Sequence, residues 1–328
     1  MRDKPAIRWG ILGCGDVCEV KSGPGFQKAA GSELVAVMRR DAVKVRDFAE
    51  RHGVPRWYSD ADALIEDPGV DAVYVATPPG SHRDLALAVA QAGKPCYVEK
   101  PMARSHAECL EMIAAFEVAQ QPLFVAYYRR CLPRFVALKE LLKQGRLGPI
   151  KGIRYHLANS AYLHTDPHNV PWRLQPELSG GGLLWDLGSH LIDLLDQVFG
   201  PLENVQGSSK NGSGRLNVPD QTELFFTTPD GIPGTGHWNF ASETSSDLLE
   251  ITGEFGRVAL SCFGNEPLKW ETPSGTQFLD HPNPAHVHQP LIQTMVDELL
   301  GEKRACPSTG VSAARASRII DQIGQIRM

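Results

Sequence analysis

The stretch Pro95-Cys96-Tyr97-Val98-Glu99-Lys100-Pro101 reads as a short apolar strand that ends by presenting a carboxylate and an ammonium side by side. It stops at a proline, which cannot donate to a sheet ladder. In an open parallel sheet, ligands bind beyond the carboxyl ends of the strands, so Lys100 is placed to contact a cofactor or to stabilise negative charge on a reacting oxygen. Chains also surface at lysines for no such reason, so the rest of the sequence has to decide. A second set lies far downstream, in Gly180-Gly181-Gly182-Leu183-Leu184-Trp185-Asp186-Leu187-Gly188-Ser189-His190-Leu191-Ile192-Asp193. On a helix Asp186 and His190, four apart, share one face, and Asp193 falls three beyond on nearly the same face. A carboxylate beside an imidazole fixes its tautomer and stabilises the imidazolium, a general acid/base arrangement. The same spacing also suits a plain stabilising pair. The glycines favour the chemical reading, because each glycine inside a helix costs about 1 kcal/mol and implies close approach of a ligand or another backbone.

Cofactor chemistry is suggested by Gly10-Ile11-Leu12-Gly13-Cys14-Gly15-Asp16-Val17-Cys18. Gly13 and Gly15 match the dinucleotide fingerprint, in which missing side chains let the backbone turn tightly and approach a pyrophosphate, with Asp16 and Val17 opening the next helix. Cys18 departs from the fingerprint where a glycine or alanine is usual, and Ser22-Gly23-Pro24-Gly25 predicts a short or broken first helix. Thr77, Pro78 and Pro79 form a rigid loop after another strand, at the same sheet edge as Gly13 and Lys100. His82 then opens a helix and reads as a shaping residue rather than a catalyst. The second strand ends in Arg39-Arg40-Asp41, with arginine where NAD-selective domains place an acid, so NADP(H) is the expected cofactor and NAD(H) the alternative.

These residues need a scaffold. From Ile7 to Tyr127 strand-like runs alternate with helical patterns, as in βαβ units on a parallel sheet. Strands are expected at Ile7–Leu12, Leu34–Met38, Arg56–Tyr58, Ala72–Ala76, Cys96–Val98 and Leu123–Ala126. Helices are expected at Ala42–His52, Asp60–Glu66, Ser81–Ala92 and Ser105–Gln120, with Asp41, Ser59, Gly80 and Arg104 or Ser105 as caps and Gly53 and Gly93 as left-handed stops. Beyond Pro149 the texture changes to longer strands with short turns: Ile150–Leu157, Glu203–Lys210, Thr222–Thr228, Thr235–Phe240, Leu248–Thr252, Arg257–Phe263, Leu268–Glu271 and Gln277–Leu279. Helices are expected at Pro133–Gln144, Leu183–Phe199, Leu291–Leu300 and Val311–Ile326, and 161–182 is the longest loop. The fold class is therefore α/β: a Rossmann doubly wound parallel sheet over 1–126, then a second α/β domain with an open, mostly antiparallel sheet over 127–328.

Length and composition agree. A chain of 328 residues exceeds what one core usually supports, and 42% hydrophobic with 22% charged residues is ordinary for a soluble protein. Basic residues number 33 against 38 acidic, a formal charge of −5 without long runs of one sign, which argues against nucleic acid or a membrane surface as partner. No apolar run approaches the roughly 18 residues of a membrane helix and no apolar leader is visible, so a cytoplasmic location is expected. The seven cysteines are scattered without a C-x-x-C pair and predict buried, reduced thiols. His164, His168, His281, His286 and His288 lie in proline-rich loops with no ligand-like spacing, so no metal site is expected.

In combination, Gly13-Cys14-Gly15, Glu99-Lys100-Pro101 and Gly181-Gly182 followed by Asp186-Leu187-Gly188-Ser189-His190 resemble the glucose–fructose oxidoreductase and inositol dehydrogenase family, Gfo/Idh/MocA, over nearly the whole chain. The resemblance implies a nicotinamide cofactor, sugar or polyol substrates, and a homo-oligomer, dimer or tetramer, often assembled through the open sheet. By position it makes Lys100 the catalytic lysine and Asp186 and His190 the helix pair. It also places Glu99 and Arg129, in the segment Tyr127-Tyr128-Arg129-Arg130, beside the nicotinamide, and Trp172-Arg173 in a loop that reaches toward the active site. Oxidising a secondary alcohol needs a base for the hydroxyl proton while hydride leaves the same carbon, and a positive charge near the oxygen. His190 suits the first task and Lys100 the second, while Asp186 either binds a substrate hydroxyl or orients His190. The resemblance also reaches glycosidases that oxidise a sugar transiently and dinucleotide sensors without turnover. An intact Lys100, Asp186 and His190 speaks against the sensor.

Overall fold

A computed structural model of the protein describes residues 6–166, 168–302 and 305–324. The chain divides into two compact units, Met1–Cys131 with Pro284–Ala314 and Leu132–Asn283 with Arg315–Met328.

The first unit is built on six strands: β1 Ile7–Leu12, β2 Ser32–Met38, β3 Arg56–Tyr58, β4 Ala72–Val75, β5 Cys96–Val98 and β6 Leu123–Val125. They lie side by side in the order β3-β2-β1-β4-β5-β6, every pairing parallel. The order reverses between β1 and β4, and that crevice at the carboxyl ends is where such sheets bind ligands. β4, Ala72-Val73-Tyr74-Val75, is buried throughout, as a central parallel strand covered on both faces must be. Phe26, Trp9, Tyr74 and Tyr97 form an aromatic layer, with Phe26 4.9 Å from Trp9 and 5.4 Å from Tyr74 between ring centres.

The first helix is broken, as the Gly-Pro-Gly run requires, into Asp16–Val20 and Gly23–Lys28. Asp41 caps Ala42–His52 by accepting from the amides of Val43 and Lys44, and Ser105 caps His106–Ala119. Gly53 and Gly93 take φ of +63° and +67°. Two expected caps are corrected. Asp60, not Ser59, accepts from the Ala63 amide, and Pro79–Ser81 winds as a 3₁₀ turn, so the following helix starts at His82 without Gly80 as its cap.

The second unit carries β7 Ile150–Ala158, β8 Glu203–Lys210, β9 Gln221–Thr227, β10 Pro233–Asn239, β11 Ser246–Gly253, β12 Arg257–Leu260, β13 Leu268–Thr272 and β14 Gly275–Leu279. Their order is β14-β13-β12-β11-β7-β10-β9-β8, and among the described residues the single parallel contact, β7 with β10, interrupts an antiparallel sheet. β12 is shorter than expected. Beyond Leu260 the chain leaves the ladder because the Asp247 carboxylate captures the amides of Cys262 and Phe263, at 3.1 and 2.7 Å.

The helix expected at Leu183–Phe199 is also corrected. Leu184–Gly188 winds as a π turn, with the Ser189 amide reaching the Leu184 carbonyl, and a regular helix runs only over Ser189–Phe199. That helix buries Leu191, Ile192, Leu194 and Leu195, each worth about 1.5–3 kcal/mol against exposure. Arg315 clamps its buried Asp196 carboxylate with two bonds of 2.8 and 2.6 Å. The loop 161–182 contains two short helical turns, Trp172–Leu174 and Pro176–Ser179. Helix Gln289–Leu299 lies near its expected span, and the final helix runs over Gly310–Ile323; the expected end at Ile326 falls outside the described residues.

Candidate active site

In the first unit the site is assembled where β1, β4 and β5 end. Gly13 has φ +86°, and a Cβ there would lie 2.6 Å from Thr77 Cγ2, so the two loops touch only because residue 13 is glycine. Around Gly15 a Cβ would meet nothing nearer than the Gly13 carbonyl, at 3.9 Å. This open, side-chain-free backbone fits a dinucleotide pyrophosphate, with half-buried Val17 and exposed Asp16 following it. Cys18 is wholly buried and fills the place expected of a smaller residue, while burial pushes the Cys14 thiol up to about 11. Among the described residues no disulfide forms, and six of the seven cysteines are buried. Arg39 follows β2 and sends Nη1 to the Cys14 carbonyl at 3.4 Å, at the rim of the glycine loop, and Arg40 beside it is exposed.

Thr77 and Pro78 begin the loop after β4, and Thr77 Oγ1 accepts from Ser81 at 2.8 Å. His82 is a shaping residue in a definite sense. Its Nε2 lies 2.7 Å from the Thr77 carbonyl and its Nδ1 3.1 Å from the Pro101 carbonyl, so one buried ring joins the loops after β4 and β5. Burial lowers its pKa, and the hydrogen bonds to these carbonyls oppose that.

Glu99 and Lys100 follow β5, and the Lys100–Pro101 bond is cis. Glu99 Oε2 accepts the Lys100 amide at 3.1 Å and Oε1 accepts from the Tyr74 hydroxyl at 2.5 Å. Burial raises the Glu99 pKa, an effect opposed by Lys100 and these two donors. The Lys100 side chain is half-buried. Arg129, in a turn after β6, is buried, bonds Tyr128 Oη at 3.1 Å and lies over its ring. One residue escaped sequence reasoning altogether. His288, expected in an uninformative loop, is completely buried, stacks on Tyr128 at 4.4 Å and bonds Tyr97 Oη through Nδ1 at 3.1 Å. No local spacing pointed to it.

In the second unit the π turn and the start of helix Ser189–Phe199 carry Asp186, His190 and Asp193. Asp186 is half-buried, and His190 and Asp193 are 3% and 1% exposed. The Asp186 carboxylate meets Arg173, whose Nε lies 3.3 Å from Oδ2 and whose guanidinium covers Trp172 at 4.5 Å. The ring of Phe263, whose backbone amide Asp247 holds, stands at 76° to the His190 imidazole with 5.9 Å between ring centres. The glycines before this helix serve packing by side chains. A Cβ at Gly181 would lie 2.3 Å from the Trp185 ring, and at Gly182, φ +85°, 2.7 Å from Tyr162 Oη, so the expectation that they admit a ligand or a backbone is corrected. Among the described residues no group of three or more His, Cys, Asp and Glu is placed to hold a metal, and no helix is long and apolar enough to cross a membrane.

Comparison with known proteins accords with this geometry. Residues 7–127 match the family described as an oxidoreductase family with an NAD-binding Rossmann fold, and residues 135–259 match the GFO/IDH/MocA C-terminal domain. The chain is 37% identical over 316 residues to oxidoreductase P35 of Formosa agariphila, spanning 96% of this chain and 97% of that one. It is 30% identical over 254 residues to 1,5-anhydro-D-fructose reductase of Ensifer adhaerens, spanning 76% and 74%. Among solved structures, aldose-aldose oxidoreductase from Caulobacter crescentus complexed with glycerol superposes with a TM-score of 0.85 at 25% identity over 96% of each chain. With both halves matched and relatives that act on sugars and diols, the chain belongs to the Gfo/Idh/MocA family of NAD-binding oxidoreductases.

Proposed function

We propose that the protein transfers a hydride between a nicotinamide dinucleotide, NADP(H) in preference to NAD(H), and the secondary alcohol or ketone of a sugar or polyol. The observation that carries this is the seat of Lys100, at the carboxyl edge of the sheet with its amide held by the buried Glu99 carboxylate. The bound dinucleotide supplies the hydride acceptor or donor. Lys100 donates to the reacting oxygen and stabilises its alkoxide character, which is greatest in the transition state. His190 takes the hydroxyl proton in the oxidising direction and returns it in reduction. Asp186 either binds a substrate hydroxyl or aligns the imidazole. Gly13 and Gly15 leave room for the pyrophosphate, and Arg39 stands at the rim for a ribose phosphate.

The test is a panel of sugars and inositols assayed with both dinucleotides, on wild type and Lys100→Ala. Net formation or consumption of reduced dinucleotide, with turnover lower by about 100-fold or more in Lys100→Ala, is expected. Near wild-type turnover in the variant would remove Lys100 from the mechanism, and release of an aglycone without net redox would make the protein a glycosidase instead.

A further inference from the structure

Behind the strand end that presents Lys100, the Glu99 carboxylate continues into a buried polar chain whose other members the reaction above does not use. β4 contributes Tyr74, β5 leads through Tyr97 to Glu99, and the residue before helix Gln289–Leu299 is His288. Tyr74, Tyr97 and His288 are 0% exposed and Glu99 8%. Buried polar groups persist when they are satisfied, so the donors and acceptors can be worked out in turn. Burial pushes both phenols well above their ordinary value, so each keeps its proton. Tyr74 therefore donates to Glu99 Oε1 at 2.5 Å. Burial, together with the charges of Lys21, Lys100 and Arg129, pushes His288 down to about 3, so the imidazole is neutral with one N–H. His288 Nε2 faces Glu99 Oε1 at 3.7 Å and has no hydrogen-bond partner among the described residues, whereas Nδ1 lies 3.1 Å from Tyr97 Oη. A lone pair facing a carboxylate would repel it, so the proton sits on Nε2 and Nδ1 accepts from Tyr97.

We propose that His288 is a positioning residue for Lys100: its Nε2–H steadies the Glu99 carboxylate, whose other oxygen holds the Lys100 amide. The inference rests on Lys100 acting at the reacting oxygen. Tyr128, stacked on the imidazole at 4.4 Å and an interplanar angle of 29°, offers the competing account, in which His288 is only a flat ring filling space. The two accounts make opposite demands on the side chain. A filler is best replaced by another ring. A donor toward Glu99 is best replaced by an amide that reaches the Nε2 place.

His288→Phe, His288→Asn and His288→Gln separate them. Phe keeps the ring without the N–H, Asn keeps a polar group near Tyr97 but none toward Glu99, and Gln places an N–H near Nε2. Turnover is expected to fall about 10-fold in Phe and Asn, the scale of a small misplacement of a reacting group, and to stay within about 3-fold of wild type in Gln. The dissociation constants for NAD(H) and NADP(H) should not move in any of the three. His288→Phe added to Lys100→Ala should cause no further loss, because the residue it positions is gone. Wild-type turnover in Phe, a Gln variant as poor as Phe, or an equal further loss on Lys100→Ala would overturn the assignment. Lys100→Ala measured alone keeps the two ideas apart: near wild-type activity there fails the reading of Lys100 and takes this one with it. An inactive Lys100→Ala beside a normal His288→Phe fails this one only.

Discussion

Arg173 Nε lies 3.3 Å from Asp186 Oδ2, so the carboxylate at the π turn is answered by a cation from the loop 161–182. Half the Arg173 side chain is exposed, against 18% for Asp186, and an ion pair that open to water contributes about 0–1 kcal/mol to stability. Its value then lies in orientation. Trp172 under the guanidinium restricts where the arginine can go, and the arginine restricts the carboxylate. Arg173→Ala is expected to leave denaturant stability within about 1 kcal/mol of wild type while lowering kcat/KM about 10-fold. An unchanged kcat/KM would reduce the pair to a surface contact, and a weakened dinucleotide affinity would move Arg173 to the cofactor.

If His190 carries the substrate proton, alcohol oxidation needs its neutral form. The rate should fall on the acidic side, and that limb should vanish in His190→Ala, which retains only slow turnover. Ketone reduction should show the mirror-image dependence, since the imidazolium is then the donor. Persistence of the same acidic limb in His190→Ala would assign the proton to another group.

Acid stability gives an independent reading of His288. Its pKa is depressed to about 3 in the folded protein, whereas an unfolded chain protonates its histidines near about 6.5. Between these values the unfolded state binds the extra proton, so stability is present above the unfolded pKa and is lost as pH falls. Urea unfolding of wild type should lose stability from near neutrality toward pH 4 with a contribution of about one proton from this site. His288→Gln, which cannot titrate, should lose less over the same interval. Parallel curves for the two proteins would show that His288 is protonated in the folded state as well.

The six strands of the parallel sheet, the broken first helix and the strand ends that carry Gly13, Thr77 and Lys100 were legible because each has a local cause: strand period, glycine and proline geometry, or a polar residue where a buried strand ends. What escaped has a distant cause. β12 stops at Leu260 because Asp247, on the neighbouring strand, takes the next amides, and Gly181 is glycine because the Trp185 ring lies against it. The π turn at Leu184–Gly188 changes the phase of a helix whose apolar pattern carries no mark of it. His288 meets Tyr97 across 191 residues of chain, a separation at which spacing carries no information.

Cofactor choice is expected to be decided at the end of β2. Asp41 is the nearby acid, but its Oδ1 accepts from the amides of Val43 and Lys44, both at 3.1 Å, and caps helix Ala42–His52. These bonds hold its carboxyl below the ordinary value, as suits an anion committed to a helix start. Arg39 instead stands at the rim of the glycine loop, its guanidinium 3.4 Å from the Cys14 carbonyl. A planar guanidinium there can take a 2′-phosphate through two bonds, with Arg40 adding charge, whereas a ribose hydroxyl gains little from it. NADP(H) is therefore expected to bind more tightly than NAD(H). Arg39→Ala should lose about 1.5–3 kcal/mol of NADP affinity, the range for a hydrogen bond to a charged group, and leave NAD affinity nearly unchanged. Titration of both dinucleotides into both proteins decides the matter. Equal losses for the two would mean that Arg39 only supports the glycine loop through Cys14, and a wild type that already favours NAD would leave both arginines as solvated charges beyond the strand.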